Sequence, residues 1–298
     1  MFERIIVPLD GSQTAEMVFP YLATIGLCFG SRIRLIRVCE SNLMVSDCRR
    51  YLEAVAKRLE SLSPNSQTKQ LYNVEISVLL GSSNPSDSIL TSARDMTSTL
   101  IITASRGASN QGRWPIGNVC AGILRSSDCP VLLVRKKVSD AVFANERLIK
   151  KILLPLDGSE LSEAALPLAE KISQEMKAQI VLFRAVEPYE RMRNMSSSNI
   201  SGTVAQNEDA NTTGKSVQPI VQYMRTVKQS LEKKGINTIE ALQEGLAAEE
   251  IVAYTEANNI DLIVMSTHGH SGIGRWVFGS VTDRVLHAGD VPVLVVYP

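Results

Sequence analysis

The sequence predicts an α/β chain of two domains, each an open five-stranded parallel sheet covered by helices on both faces. Three observations carry this reading. The chain is written twice: Arg4-Ile-Ile-Val-Pro-Leu-Asp-Gly-Ser12 recurs as Lys151-Ile-Leu-Leu-Pro-Leu-Asp-Gly-Ser159, and Gly112-Arg-Trp-Pro-Ile-Gly-Asn-Val119 recurs as Gly274-Arg-Trp-Val-Phe-Gly-Ser-Val281. A period of roughly 150 residues is too long for a solenoid, so each copy is a whole domain. Short apolar runs alternate with helical patterns, the signature of a parallel sheet covered on both faces. Hydrophobic residues make up 44% of the 298 and charged residues 21%, enough for a core in each domain.

The elements follow in order. Residues 5–8 form a buried strand, Ser12 stands as a helix N-cap, and an amphipathic stretch runs to about Leu27. Residues 32–38, 75–80, 99–104 and 131–134 supply four more strands, with helical patterns at 47–62, 86–94 and 118–126 between them. The second copy repeats the order with strands at 152–155, 180–186, 238–243, 262–266 and 293–296. The apolar terminal runs Val131-Leu-Leu-Val134 and Val293-Leu-Val-Val296 are edge strands that need covering, so they are expected to pair antiparallel and join the copies as an intramolecular pseudo-dimer. The offset between copies is 147 at Asp10 and Asp157 but 162 at Gly107 and Gly269, a net gain of 15 residues. The polar segment 191–216 is the expected site of that insertion, read as a mobile surface loop. Domains are expected at 1–137 and 149–298, with a polar linker near 136–148.

Charge and cysteine usage narrow the class. Thirty-one basic residues balance thirty-one acidic ones, which argues against a nucleic-acid coat or a polybasic membrane patch. No apolar run approaches the ~20 residues of a membrane span. The opening Met-Phe-Glu-Arg leads straight into a strand rather than a leader, so cytoplasmic residence is expected. Cys28, Cys39, Cys48, Cys120 and Cys129 all lie in the first copy and read as reduced thiols.

Asp209-Ala-Asn-Thr-Thr-Gly-Lys-Ser216 imitates a phosphate-binding P-loop, but no strand precedes it and an Asp stands where the first glycine belongs. The stronger signal follows the fourth strand of each copy. In the second copy Ser266 leads through Gly269 to Gly279-Ser280, where a helix opens; in the first, Ala104 leads through Gly107 to Gly117-Asn118. Ligands of open parallel sheets bind beyond the carboxyl ends of the strands, and a helix N-terminus offers free N–H groups to an anion. Ser280-Val-Thr-Asp283 also reads as a capping box, with Ser280 serving only its own helix. Asp10 and Asp157, directly after the first strand of each copy, could accept hydrogen bonds from a ribose or simply shape a turn.

On these residues the chain resembles a tandem universal stress protein. The early Pro-x-Asp-x-Ser segment is present at Pro155-Leu-Asp157-Gly-Ser159, and Ser266-x2-Gly269-x9-Gly279-Ser280 keeps the spacing of the family's ATP-binding signature, with serine for the first glycine. The resemblance implies a Rossmann-like fold binding ATP, with Mg2+ beside the phosphates. It assigns Asp157 to the nucleoside, Val186 to adenine, and Gly269, Gly279, Ser280 and Val281 to the phosphates. The same carry-over gives Asp10, Val38, Gly107, Gly117 and Asn118 in the first copy, where Ala104 and Asn118 are expected to weaken the site. His268 and His270 lie two apart with no third ligand, so a zinc site is not expected. Arg113-Trp114 and Arg275-Trp276 read as packed indoles with solvated arginines. Ser12 and Ser159 have no histidine base at matched positions.

Two functions follow from different classes. One is a nucleotide-responsive stress protein whose adenine nucleotide stabilises one conformation or one protein-binding state, without catalysis, in a homo-oligomer of pseudo-dimeric chains. The other is a slow ATPase or adenylate-handling enzyme.

Overall fold

The computed structural model describes residues 1–61, 73–81, 84–94, 98–107, 116–136, 148–187, 212–267 and 278–298. Ten strands form one sheet: β1 (Arg4–Pro8), β2 (Arg32–Cys39), β3 (Asn73–Leu80), β4 (Thr99–Ala104) and β5 (Val131–Val134), then β6 (Lys151–Pro155), β7 (Gln179–Val186), β8 (Thr238–Glu244), β9 (Leu262–Ser266) and β10 (Val293–Val296). Their order is β3-β2-β1-β4-β5-β10-β9-β6-β7-β8, a sequence that reads the same way outward from its centre in each copy. Every pairing within a copy is parallel.

The copies meet as expected, edge to edge. β5 and β10 run antiparallel with Val293 opposite Leu133, Leu294 opposite Leu132 and Val295 opposite Val131. All eight residues of the two strands are buried. Each Val or Leu so enclosed contributes about 1.5–3 kcal/mol relative to exposure, which makes this junction part of the core rather than a surface contact. Two hydrophobic layers cover the sheet, and each spans both copies. One holds Ile5, Val7, Leu35, Leu100 and Leu132 together with Leu154, Leu182 and Leu294. The other holds Ile6, Ile36, Ile101 and Leu133 with Leu153, Phe183 and Val293.

Several local details depart from the sequence reading. Ser12 does not cap a long helix: a short 3₁₀ turn, Ala15–Val18, precedes helix Phe19–Phe29, whose second residue is Pro20. That helix ends on Gly30 at φ +59°, and its counterpart Leu166–Met176 ends on Lys177 at φ +50°. Cys39 and Cys48 are joined in a disulfide, which leaves Cys28, Cys120 and Cys129 as the free thiols and corrects the expectation of five reduced cysteines. Spacing alone could not reveal this pair, because the strand end and the following helix bring the two together. Of the segment 191–216, residues through 211 lie outside those described, but 212–216 already belong to helix Thr212–Lys233. The last residues of the P-loop look-alike are therefore helical, and β7 ended long before them. Most of the linker, residues 137–147, also lies outside the described residues.

Candidate functional site

The strand order reverses where β1 meets β4 and where β6 meets β9. The segment after β1 packs in one hydrophobic layer and the helix after β4, Asn118–Ser126, in the other. The chain therefore diverges to opposite faces, and a crevice opens beyond the carboxyl ends of the two strands.

One wall is the aspartate turn. Asp10 Oδ1 accepts hydrogen bonds from the Ser12 amide at 2.9 Å and the Ser12 hydroxyl at 2.6 Å, while Ser12 Oγ accepts from the Ala15 amide at 3.1 Å. Asp157 repeats this with Ser159 at 2.9 and 2.6 Å, and Ser159 caps the turn Glu160–Glu163 by accepting from Ser162 at 3.1 Å. The glycine between them is required, because Gly11 and Gly158 have φ of +91° and +81°. The turn engages Oδ1 of each aspartate.

The opposite wall follows β4 and β9. Ser105 donates to Val134, and Gly117 donates to the Ser105 carbonyl at 2.7 Å; Thr267 donates to Val296, and Gly279 to the Thr267 carbonyl at 2.8 Å. Each glycine is thereby stitched to its strand end, and the next helix begins one residue later. Gly117 and Gly279 are the N-caps of Asn118–Ser126 and Ser280–Ala288, with no side-chain cap bond. This overturns the capping-box reading: Ser280 is the first helical residue and is exposed, not spent on its own helix. The first amides of each helix have no acceptor within it, and each helix opens just beyond the carboxyl end of its strand. Thr282 Oγ1 donates to the Ser266 carbonyl at 2.9 Å, locking the second helix to its strand.

The two glycines of the first copy's loop motif, Gly107 and Gly117, have different reasons to be glycine. A Cβ on Gly107 would fall on Oδ2 of Asp10, so this residue makes room for the aspartate across the crevice. Among the described residues, a Cβ on Gly117 would meet nothing nearer than Ser105 O at 3.6 Å and Arg106 Cα at 3.8 Å, ordinary contacts, and φ there is −74°. Nothing among the described residues demands glycine at 117.

Two expectations change. The methyl of Ala104 does not project toward a ligand: it is 6% exposed and belongs to a core layer, as Ser266 is 5% exposed at the matching position. Val38 and Val186 are not equivalents. Leu9 donates to Ile36 and Leu156 to Phe183, so Val38 matches Ala185, and Val186 matches Cys39. Successive residues of a strand turn their N–H and C=O groups to opposite neighbours. The Val186 carbonyl accepts from Gly245 and the Cys39 carbonyl from Gly81, on the far side from the crevice. Val38 and Ala185 turn their backbones toward the crevice. Gly269, His268, His270, Arg113, Trp114, Arg275 and Trp276 lie outside the described residues.

The structure adds a duplicated polar cluster that sequence reasoning missed. The Tyr51 hydroxyl donates to Glu16 at 3.0 Å, with the Arg37 guanidinium 4.9 Å from its ring; the Tyr223 hydroxyl donates to Glu163 at 2.7 Å. Burial first, and the adjacent glutamate second, push both phenols well above their ordinary range, while Arg37 and Arg184 oppose the shift. Asp10 and Asp157 contribute to these shifts, so each cluster adjoins its aspartate turn. Glu16 and Arg37 recur at the offset of 147 as Glu163 and Arg184, a signal available in the sequence. The tyrosines do not, because the insertion intervenes.

Two doubly wound units joined edge to edge, each with an aspartate turn facing a glycine-capped helix, define a tandem α/β protein. A sequence profile of the Universal stress protein family matches residues 1–135 and again 148–297. The chain therefore belongs to the universal stress protein family and carries its unit twice. It is similar to a universal stress protein of Methanocaldococcus jannaschii, 30% identical over 169 residues that cover 56% of this chain and 93% of the relative. A universal stress protein of Synechocystis is 43% identical over 74 residues, 25% of this chain and 26% of that one. Among solved structures, a universal stress protein from Archaeoglobus fulgidus aligns over 100% of this chain and 99% of its own, with a TM-score of 0.65 and 19% identity. One from Pseudomonas aeruginosa gives 0.67 at 16% identity, over 100% and 94%. At such identities these two structures speak for the fold alone. No described helix is long and apolar enough to cross a membrane.

Proposed function

We propose that the chain binds ATP in these crevices and acts as a nucleotide-responsive regulatory protein. The observation that carries this is Gly117. Its backbone angles suit any residue and the described residues around it leave space for a Cβ, which supports a reading in which that space admits a ligand. Glycine is also a weaker N-cap than Ser, Asn or Asp, so helix stability does not explain it. A phosphate approaching the amides of Asn118 and Val119 would use that vacancy. In the second copy the same role falls to Gly279, Ser280 and Val281, with Gly269 ahead of them.

The aspartates accept from ribose hydroxyls, Asp157 in the second copy and Asp10 in the first. Backbone beyond the end of β1 or β6 meets adenine, which assigns Val38 and, by register, Ala185 rather than Val186. Pro155 ends β6 just before the aspartate turn and fixes its direction. Gly107 keeps Asp10 in place, and Ser266 holds the second helix through its carbonyl. Mg2+ would be carried by the phosphates, as this ion commonly is. Among the described residues no group of three or more His, Cys, Asp or Glu side chains forms a metal cage of its own.

Binding is favoured over turnover by the fate of Asp283. The acid of the second glycine-loop motif sits inside the helix, 3.7 Å from His287. Calorimetric titration of ATP tests the proposal. Gly279→Val should abolish binding at the second site, and equal affinity in parent and variant would sink it.

A further inference from the structure

Arg135 and Tyr297 are each the first residue after a terminal strand, and they stand 162 residues apart. The same offset relates Gly117 to Gly279 and helix Asn118–Ser126 to Ser280–Ala288. Because β5 and β10 run antiparallel, each of the two residues emerges beside the other copy's last helix. Arg135 donates from Nη1 to the Gly289 carbonyl and from Nη2 to the Val285 carbonyl at 3.2 Å. Tyr297 donates from its hydroxyl to the Leu124 carbonyl at 2.5 Å. The last carbonyls of a helix have no partner within it, so these bonds are caps, and they are crossed between copies.

The chemistry of the two caps differs, but the geometry is shared. Arg135 is a costly choice for an apolar junction: its Nε is buried without a hydrogen-bond partner, and burial pushes the guanidinium down to about 10. It stays protonated at neutral pH, and a cation suits the negative end of a helix dipole. Taking a charge out of water costs stability, so the cation is not explained by the stability of the junction alone. Each capped helix has nine residues and opens at the glycine assigned above to phosphate. A rod of roughly 13 Å transmits a shift of its last turn to its first.

We infer that Arg135 and Tyr297 are positioning residues acting crosswise, each holding the phosphate-facing helix of the opposite copy, so that affinity at one site depends on the other domain. This rests on the nucleotide reading given above.

Full-length protein with one crevice closed isolates each site: Gly117→Val leaves the second and Gly279→Val the first. ATP is titrated into each by calorimetry, with and without a cap substitution. Arg135→Gln should lower affinity at the second site about fivefold and leave the first within about twofold. Tyr297→Phe should lower affinity at the first site about threefold and spare the second. Arg135→Lys, which keeps a cation at the carbonyls, should recover most of the loss. An effect on the residue's own copy, on both copies equally, or on neither overturns the inference. If the Gly117→Val parent binds no ATP, the nucleotide reading falls, and hydrogen exchange without nucleotide decides the caps. Arg135→Gln must then speed exchange in the last turn of Ser280–Ala288 and not in Asn118–Ser126; uniform change or none overturns the crossed cap.

Discussion

Adding one methyl group at Gly107 should cost stability only while Asp10 is present. The new Cβ would land on Oδ2 of Asp10, so the carboxylate must rotate out of its place across the crevice. Rotation breaks the two bonds that Oδ1 accepts from Ser12, at 2.9 and 2.6 Å. Bonds to a carboxylate lie at about 1.5–3 kcal/mol each when buried, but Asp10 is exposed, so about 1–2 kcal/mol in total is the reasonable loss. In a chain of this size that lowers the melting midpoint by roughly 2–3 °C. A double-mutant cycle in chemical denaturation isolates the mechanism: Gly107→Ala, Asp10→Ala and the pair. In the Asp10→Ala background, Gly107→Ala should become nearly neutral, giving a coupling of about 1 kcal/mol or more. Additivity within about 0.5 kcal/mol would refute the steric argument and return Gly107 to a ligand-contact role.

Two further outcomes are expected. With Ala104 buried in the core, Asn118 is the remaining side-chain reason for a weaker first site, so Asn118→Ser should bring the two ATP affinities together in calorimetry; an unchanged gap would place the asymmetry elsewhere. Stability should fall as pH rises from about 9 toward 12. Burial raises Cys120 from 9.0 to about 12 and burial with Asp261 raises Tyr21 from 10.0 to about 12, so the unfolded chain ionises first and is favoured as pH rises through that window. Cys120→Ala should flatten the early part of that decline in urea midpoints measured against pH, and an identical slope would remove Cys120 as a cause.

The repeat carried much of this molecule on its face. A nine-residue echo at 4–12 and 151–159 fixed the domain count, and the runs placed every strand to within two residues. The central strands are mostly apolar because a strand buried on both faces has few polar options, whereas β3 and β8, at the sheet's outer edges, are partly exposed and carry polar residues. The terminal strands were legible for the same reason: Val131–Val134 and Val293–Val296 are too apolar to be left at an edge. Asp10, Asp157, Gly117 and Gly279 could be proposed from spacing, since backbone requirements leave glycine and aspartate as traces.

What spacing could not reach depends on direction in space. The offset of 147 that pairs Arg37 with Arg184 already pairs Val38 with Ala185, but only the alternation along β2 and β7 shows which backbone turns toward the crevice, since a one-residue slip in a strand reverses it. The disulfide Cys39–Cys48, the burial of Ala104 and the pairing of Tyr51 with Glu16 each join residues from different elements, where no sequence period exists. The crossed caps of Arg135 and Tyr297 are the extreme case. Neither residue is chemically like the other, and only the antiparallel junction of β5 with β10 brings each to the opposite helix. Sequence determined which segments become strands and helices; tertiary packing alone determined which side chains those elements bring face to face.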